Sequence, residues 1–132
     1  MTSTVCLVAN TLSYPQGGGH LWVHLNWALG LRSLGCKVVW LELVSPSTPE
    51  ARLHSWIAAL KTNLADYGLA DRIALCSTSS KPLPRRLLDG CMDIGAAAEA
   101  DLLLNLRYDM RQDVLKIASR HCWKMRWRSL PR

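Results

Sequence analysis

Four short apolar runs divide the first 115 residues of the chain, and each run has the length of a β-strand. They lie at 5–9, 38–43, 72–76 and 100–106. Continuous apolar runs of this length are typical of parallel strands that are buried on both faces. The pattern therefore predicts four strands of a parallel sheet.

Amphipathic stretches fill the intervals between these runs. Residues 20–34 and 50–67 repeat apolar positions at helical spacing. A weaker helix-like pattern, interrupted by Gly90 and Gly95, covers 85–99, and 109–118 is one more candidate helix. These stretches predict helices between and after the strands.

The apolar repeats also predict which face of each long helix is buried. In the first helix the predicted face consists of Val23, Trp27, Leu31 and Leu34, widened by Leu25, Ala28 and Leu29. In the second helix it consists of Leu53, Ile57, Leu60 and Leu64. We expect Gly35 to end the first helix, because glycine adopts the left-handed conformation common at helix C-termini.

The order of the elements predicts an α/β fold. Alternating strands and helices form parallel sheets that are joined by right-handed crossovers. We expect a Rossmann-like three-layer domain over 1–115, with a four-stranded parallel sheet in the order 3-2-1-4 and helices on both faces. No apolar run reaches a membrane span of roughly 18–20 residues, and no charged region of a secretory signal precedes the first run. A cytoplasmic location is therefore expected.

Three consecutive glycines, Gly17, Gly18 and Gly19, precede the first helix. Glycine lacks a Cβ atom, so it permits a tight turn and a close approach of the backbone to a ligand. A helix N-terminus also presents unpaired N–H groups, which favour an anion such as a phosphate. The turn is therefore a candidate phosphate site, and the adjacent His20 is a candidate phosphate ligand or general base.

Two common nucleotide-binding motifs fit this turn poorly. The Rossmann dinucleotide motif requires G-x-G-x-x-G directly after the strand and an acid about 20 residues later. Here seven residues separate the strand from Gly17, Trp22 occupies the third glycine position, and Glu42 lies near the end of the second strand. A Walker P-loop requires G-K-[ST] after the glycines, and that sequence does not occur here.

The segment over 5–43 instead resembles the N-terminal motif of GT-B glycosyltransferases. In that family a strand and a longer loop lead to a Gly-Gly-x-polar turn, an amphipathic helix, a Gly-x-x-Val pair and a second strand. Gly17–Gly19 match the turn, His20 matches the polar position, and Gly35 with Val38 match Gly-x-x-Val. Over 44–115 the likeness is architectural only.

This resemblance implies transfer of a sugar from a nucleotide-sugar co-substrate to an acceptor, with no cofactor and no metal. It implies that an N-terminal domain holds the acceptor, that a second domain holds the donor, and that Gly17–Gly19 lie against the donor phosphates. His20 is then the catalytic candidate. A full N-terminal domain of this family has more than four strands, so we expect a truncated domain that is inactive without a donor-binding domain or partner chain.

Polar residues after the first and fourth strands are candidates for lining a cleft. Ligands bind at the carboxyl edge of open α/β sheets, near the switch between these two strands. The candidates are Asn10, Thr11, Asn105, Arg107 and Asp109. Of these, Arg107 would pair with a phosphate or carboxylate, and Asp109 would accept a sugar hydroxyl or cap a helix.

Several residues with reactive or aromatic side chains have structural interpretations. The five cysteines are scattered and never form a CxxC pair, so we expect buried, structural thiols. His20 and His24 have the i, i+4 spacing of metal ligands, but no third ligand is near them in sequence. Four tryptophans would either stack on a sugar or fill the core. They are Trp22, Trp27, Trp40 and Trp56.

The net charge of +6 lies entirely in the last 17 residues. Residues 1–115 contain ten Lys or Arg and ten Asp or Glu, whereas 116–132 contain six cations and no acid. This abrupt shift favours a basic tail that is disordered or not native to the domain. Two alternative functions stay open: a stand-alone nucleotide- or phosphate-binding module, and a protein that binds nucleic acid through the cations and tryptophans of its tail.

Overall fold

The described part of the chain alternates strands and helices as the sequence predicts. The computed structural model describes residues 2–106 except 80, 82, 93, 94, 96 and 98. Its elements are β1 (Thr4–Ala9), α1 (Gly18–Ser33), β2 (Lys37–Val44), α2 (Glu50–Ala65), β3 (Ile73–Ser77), a 3-10 helix (Arg85–Leu87) and β4 (Leu102–Asn105). The four strands and two long helices begin and end within two residues of their predicted bounds. The predicted helix over 109–118 and the basic tail lie outside the described residues.

The four strands pair in parallel in a single sheet of order β3-β2-β1-β4. This order confirms the predicted Rossmann-like α/β arrangement. β1 lies between β2 and β4, and its last residue, Ala9, is in register with Glu42 of β2. The loops that follow β1 and β2 therefore leave the sheet side by side, at its carboxyl edge.

The helices α1 and α2 cover the same face of the sheet. Leu7, Trp40 and Ile73 project from this face and are fully buried against α1 and α2. The buried side of α2 is the predicted one, and it consists of Leu53, Ile57, Leu60 and Leu64. A single apolar stripe on a polar helix leaves only one face to bury, and for α2 the spacing identifies it.

The opposite face of the sheet carries a second, smaller core. Its buried residues are Cys6, Val8, Val39, Leu41, Leu43, Ala74, Cys76 and Ala97. Met92, Ala100 and Leu103 pack against this cluster. Nearby, the N–H of Glu99 donates to the carbonyl of Gly95 at 3.1 Å, the i to i−4 spacing of a helical turn. The sheet is therefore packed on both faces.

The helix predicted over 85–99 is wrong in its first half. Only residues 85–87 are helical there, as a 3-10 turn. Met92 then donates its N–H to the carbonyl of Ile73 and forms an isolated parallel bridge with Ala74. Gly90, which lies between the 3-10 turn and Met92, has a φ of 78°. This left-handed conformation does not continue a right-handed helix. The glycine that interrupts the apolar pattern is also a break in the helix.

The face of α1 predicted from its apolar repeat is correct only in part: Leu25 and Ala28 are buried as predicted, and Leu29 and Leu31 pack partly buried against the core. The buried residues are Leu21, His24, Leu25 and Ala28. Val23, Trp27 and Leu34 are instead 49%, 50% and 81% exposed. Because α1 carries apolar residues around much of its circumference, spacing alone does not select one side.

Despite the apolar surface of α1, none of the helices within the described residues has the length and hydropathy needed to cross a bilayer.

The end of α1 is a Schellman motif centred on Gly35. Cys36 donates its N–H to the carbonyl of Leu31 at 3.1 Å, and Gly35 donates to Arg32 at 3.0 Å. These are the two hydrogen bonds that define the motif. Gly35 has a φ of 88°, so the sequence identified the residue that ends this helix.

We predict that alanine at two glycines of this helix region changes stability in opposite directions. A Cβ atom at Gly30 or Gly35 meets no atom within 4 Å, so neither substitution creates a clash. Gly35→Ala should lower the free energy of unfolding by about 1–2 kcal/mol, because it forces a Cβ into the left-handed region. Gly30→Ala should raise it by about 0.5–1 kcal/mol, because alanine is the better helix former. Urea unfolding followed by circular dichroism measures both, and changes of the same sign would contradict the assigned helix end.

Candidate functional site

The glycine turn connects the carboxyl end of β1 to α1. Two consecutive turns shape the loop: Tyr14 donates its N–H to Thr11, and Gly17 donates to Tyr14, each at 3.0 Å. Gly17 and Gly18 both have a φ of 73°. A Cβ at Gly17 would also lie 3.2 Å from Cδ2 of Leu21. The path of the backbone therefore requires glycine at 17 and 18.

The space around the second and third glycines is open. A Cβ at Gly18 or Gly19 meets no atom within 4 Å. The N-cap of α1 is Gly17, which has no side chain to accept a hydrogen bond from the first turn. The first N–H groups of a helix lack partners within the helix itself. The turn thus combines exposed donors with room for a ligand, the combination that suits a small anion.

His20 ties the first turn of α1 to the end of β1. Its Nε2 makes a hydrogen bond with the backbone carbonyl of Asn10. Because a carbonyl oxygen only accepts, the hydrogen bond assigns the proton to Nε2 and the lone pair of the neutral ring to Nδ1. The ring of Tyr14 packs against His20 with centroids 4.5 Å apart. The glycine turn therefore lies at the carboxyl edge of the sheet.

His24, one helical turn later, is buried with an unpaired nitrogen. Its Nδ1 donates to the carbonyl of His20 at 3.1 Å, and only 3% of the residue is exposed. Its Nε2 has no hydrogen-bond partner among the described residues. The ring lies between those of His20 and Trp40, with centroid distances of 5.2 Å and 6.3 Å. His24 therefore belongs to the packing beneath the turn rather than to its exposed surface.

Glu42 of β2 places a carboxyl group inside the domain, where it is 1% exposed. Its Oε1 accepts hydrogen bonds from the N–H of Thr11 at 3.0 Å, the hydroxyl of Thr11 at 2.5 Å and the indole Nε1 of Trp40 at 3.0 Å. Its Oε2 makes only a longer contact, 3.3 Å to the same Thr11 N–H. Buried carboxylates usually pair with a cation, and no ion pair to Glu42 forms within the described residues.

A cleft of about 240 Å³ opens beside Glu42 at the carboxyl edge of the sheet. It lies between the loop after β1, the end of β2 and the first half of α2. The polar lining residues are Asn10, Ser13, Glu42, Ser45, Thr48 and Thr78. The apolar ones are Leu12, Leu43, Val44, Leu53 and Trp56. The lining therefore offers several hydroxyl groups, one amide, one aromatic ring and one carboxyl group, and it includes no cation.

The structure brings two of the predicted cleft residues to this place. Asn10 lines the cleft, and its carbonyl also accepts the hydrogen bond from His20. Thr11 is 2% exposed and donates a hydrogen bond to Glu42. It therefore holds a lining residue in place and does not itself line the cleft. Asn10 is thus the predicted residue that joins the cleft to the glycine turn.

The other three predicted cleft residues are not part of this lining. Asn105 ends β4, in register with Val8 of β1, so β1 stands between it and the cleft beside β2. Arg107 and Asp109 lie outside the described residues. Their roles, like the roles assigned to His20 and the glycines, stay predictions.

The sequence pattern identified Glu42 only as the acid of a dinucleotide motif and did not predict the cleft around it. The signal that was available is an acid within the strand sequence KVVWLELV, since a charge in a buried strand needs partners. The four tryptophans predicted either to fill the core or to stack on a sugar do not all have the same environment. Trp40 is core, Trp56 is half-buried and lines the cleft, and Trp22 and Trp27 are about half exposed.

The thiols and histidines form neither a disulfide nor a metal site in the described ranges. No disulfide joins any two of the described cysteines, which are Cys6, Cys36, Cys76 and Cys91. Burial raises the pKa of the Cys91 thiol, which disfavours the reactive thiolate. Within the described residues, no three or more His, Cys, Asp or Glu side chains come together in a group able to hold a metal ion.

We predict that the hydrogen bonds of Glu42, rather than its charge, stabilise the fold. Glu42→Ala leaves the buried donors of Thr11 and Trp40 unpaired, so it should lower the free energy of unfolding by about 2–5 kcal/mol. Glu42→Gln keeps a carbonyl acceptor and should cost less than half as much. Glu99→Ala, at an exposed position, is the control and should change stability by about 0.5 kcal/mol or less. Equal losses for the two Glu42 variants, measured by urea unfolding, would contradict the prediction.

The chain was compared with protein-family models, curated proteins and solved structures, and no match was found in any of the three. Any function assigned to the domain therefore rests on its own residues. The glycine turn and the cleft beside Glu42 are its two candidate ligand sites.

Proposed function

We propose that this domain is the acceptor-binding, N-terminal part of a cytoplasmic glycosyltransferase of the GT-B fold class. The reaction is transfer of a sugar from a nucleotide-sugar to an acceptor. One observation carries the proposal: the glycine turn and the hydroxyl-lined cleft meet at Asn10. The side chain of His20, next to the turn, binds the carbonyl of Asn10, and Asn10 also lines the cleft. A phosphate on the turn and an acceptor in the cleft would therefore be neighbours.

The proposed role of the glycine turn is to stabilise the negative charge that develops on the leaving diphosphate. When the acceptor hydroxyl attacks the anomeric carbon, the bond to the diphosphate breaks and the diphosphate keeps the bonding electrons. Backbone N–H groups aimed at developing negative charge stabilise such a transition state. No atom of the described residues lies within 4 Å of the Cβ positions of Gly18 and Gly19, so a ligand that approaches from that side meets no obstruction.

His20 is the proposed base that takes the proton of the attacking hydroxyl. Its Nε2–H is held by Asn10, so its Nδ1 carries the lone pair. No partner for Nδ1 is found among the described residues, and the side chain is exposed. A histidine is suited to this step because the unprotonated nitrogen of a neutral imidazole ring accepts a proton.

The cleft supplies the acceptor subsite. Hydroxyl and amide groups such as those of Ser45, Thr48 and Asn10 both donate and accept hydrogen bonds, as the hydroxyls of a sugar or polyol require. The ring of Trp56 offers an apolar face for stacking. In this fold class a second domain holds the donor nucleotide, so the proposal predicts that the domain binds both groups but does not turn over the donor alone.

A stand-alone phosphate-binding module is the second candidate, and the open space at Gly18 and Gly19 also favours it. That function would use the turn and leave the polar cleft without a role. The two candidates therefore differ in whether a neutral, hydroxylated ligand binds beside Asn10. The third candidate, nucleic-acid binding through the tail, involves residues outside the described part.

Chemical-shift mapping of the whole ¹⁵N-labelled chain tests the proposal. Uridine diphosphate should shift the amide signals of Gly18, Gly19 and His20, which form the first turn of α1, where N–H groups have no partner within the helix. A mixture of neutral monosaccharides should shift those of Asn10 and Thr78, which border the cleft. Diphosphate shifts without sugar shifts would favour the stand-alone module.

A negative charge introduced at the glycine turn tests phosphate binding there, with the same substitution elsewhere in α1 as the control. Gly19→Asp places a carboxylate in open space at the helix N-terminus, where it favours the helix but repels a diphosphate. Gly30→Asp makes the same change further along α1, also in open space. Diphosphate binding should weaken several-fold in the first variant and stay unchanged in the second. Equal affinity in both variants would overturn the assignment of the turn.

A further inference from the structure

We propose that the cleft beside Glu42 selects a ligand that carries an amine, with Glu42 as the counter-charge of its ammonium group. The ligand class is a small hydroxylated ring with a primary amine, such as an amino sugar. Its identity as the acceptor rests on the proposed function. Amine binding itself rests only on the cleft.

The first support is that Glu42 has no counter-charge among the described residues. The residue is 1% exposed, and its partners are an amide, a hydroxyl and an indole, all of them neutral. A buried carboxylate held only by neutral donors is costly, because the interior screens charge far less than water does. A ligand cation would offset this cost, whereas a ligand anion would raise it.

The second support is the unequal use of the two carboxylate oxygens. Oε1 accepts three hydrogen bonds from Thr11 and Trp40. Oε2 makes one contact of 3.3 Å, to an N–H that already binds Oε1 more closely. Because each carboxylate oxygen has about two acceptor positions, Oε2 retains the capacity to accept from a ligand. Glu42 itself forms part of the lining of the cleft.

The third support is the character of the remaining lining. Within the described residues the rest of the lining is neutral, so no lining residue there competes with a ligand for the carboxylate of Glu42. Hydroxyl groups of Ser13, Ser45, Thr48 and Thr78 border the same space, and each both donates and accepts. Trp56 adds an aromatic face, which attracts cations and stacks on rings. An ammonium group on a hydroxylated ring matches all three features.

The volume limits the size of this ligand. At about 240 Å³, the cleft is smaller than the roughly 300–1,000 Å³ typical of drug-sized ligand sites. It therefore accommodates one ring with its substituents rather than an oligosaccharide. A longer acceptor would place only its terminal, amine-bearing ring beside Glu42.

Titration of the whole chain with three rings of similar size tests the inference. The probes are glucosamine, glucose and glucuronate, which carry a cation, no charge and an anion, and the readout is the shift of amide signals around the cleft. Glucosamine should bind about tenfold tighter than glucose or better, as expected for a hydrogen bond between charged groups. Glucuronate should bind more weakly than glucose. Equal affinities, or no binding of glucosamine at millimolar concentration, would overturn the inference.

Two matched pairs of variants assign the selectivity to the cleft. Glu42→Gln should reduce the affinity for glucosamine to that for glucose, while Glu50→Gln, which changes a carboxylate outside the lining, should keep the preference. Should Glu42→Gln unfold, Thr48→Lys places a competing ammonium at the cleft without touching the bonds of Glu42. Thr62→Lys makes that change on the exposed side of α2. Amine preference that survives Glu42→Gln or Thr48→Lys would rule out Glu42 as the counter-charge.

Failure of this inference and failure of the proposed function give different results. If uridine diphosphate shifts the signals of the glycine turn and glucose binds as tightly as glucosamine, the transferase proposal survives and amine selectivity is wrong. If glucosamine binds selectively but uridine diphosphate leaves the turn unchanged, the amine site is correct and belongs to another function.

Discussion

The burial of the Glu42 carboxyl is the constraint on which the carboxyl edge of this domain depends. The register of β1 and β2 places Glu42 opposite Ala9, and its Oε1 then collects the N–H and hydroxyl of Thr11. These bonds fix the direction in which the chain leaves β1. That direction in turn sets Asn10 in the cleft and brings its carbonyl to His20. The cleft and the glycine turn therefore share one anchor, and movement of Glu42 would displace both.

The layout of the fold was predictable because its strongest signals are local. A strand buried on both faces has to be apolar along its whole length, so four apolar runs identified four strands, and the alternation with helices identified their order. The errors arose where a local signal was ambiguous. The apolar surface of α1 extends around the helix, so contact with the sheet, rather than spacing, decided that His24 is buried while Trp27 is half exposed. At Gly90, backbone conformation outweighed the apolar repeat.

The candidate site was predictable only in its contiguous half. The glycine turn was predictable because its residues are neighbours in the sequence: consecutive glycines indicate a tight turn, and Gly17 and Gly18 do have a positive φ. The cleft is assembled from segments that are distant along the chain, from Asn10 after β1 to Thr78 after β3. The bond between Thr11 and Glu42 spans 31 positions, and no periodicity encodes it. An acid inside an apolar strand signals that partners must exist, but it does not identify them.

The two halves of the site present opposite local charges, and this arrangement bears on how the proposed reaction would be oriented. The N-terminus of α1 carries the positive end of a helix dipole, equivalent to about half an elementary charge. The carboxyl group of Glu42 is the acidic group of the neighbouring cleft. Under the proposal, an anionic diphosphate would therefore be favoured at the turn and disfavoured in the cleft, and a cationic acceptor would show the reverse preference. Since His20 lies next to the turn and binds Asn10 at the border of the cleft, a base at this position would lie between the proposed diphosphate and acceptor positions. The first 115 residues carry equal numbers of cations and anions. The position of each substrate would therefore be set by the local charge of its own subsite rather than by the net charge of the domain.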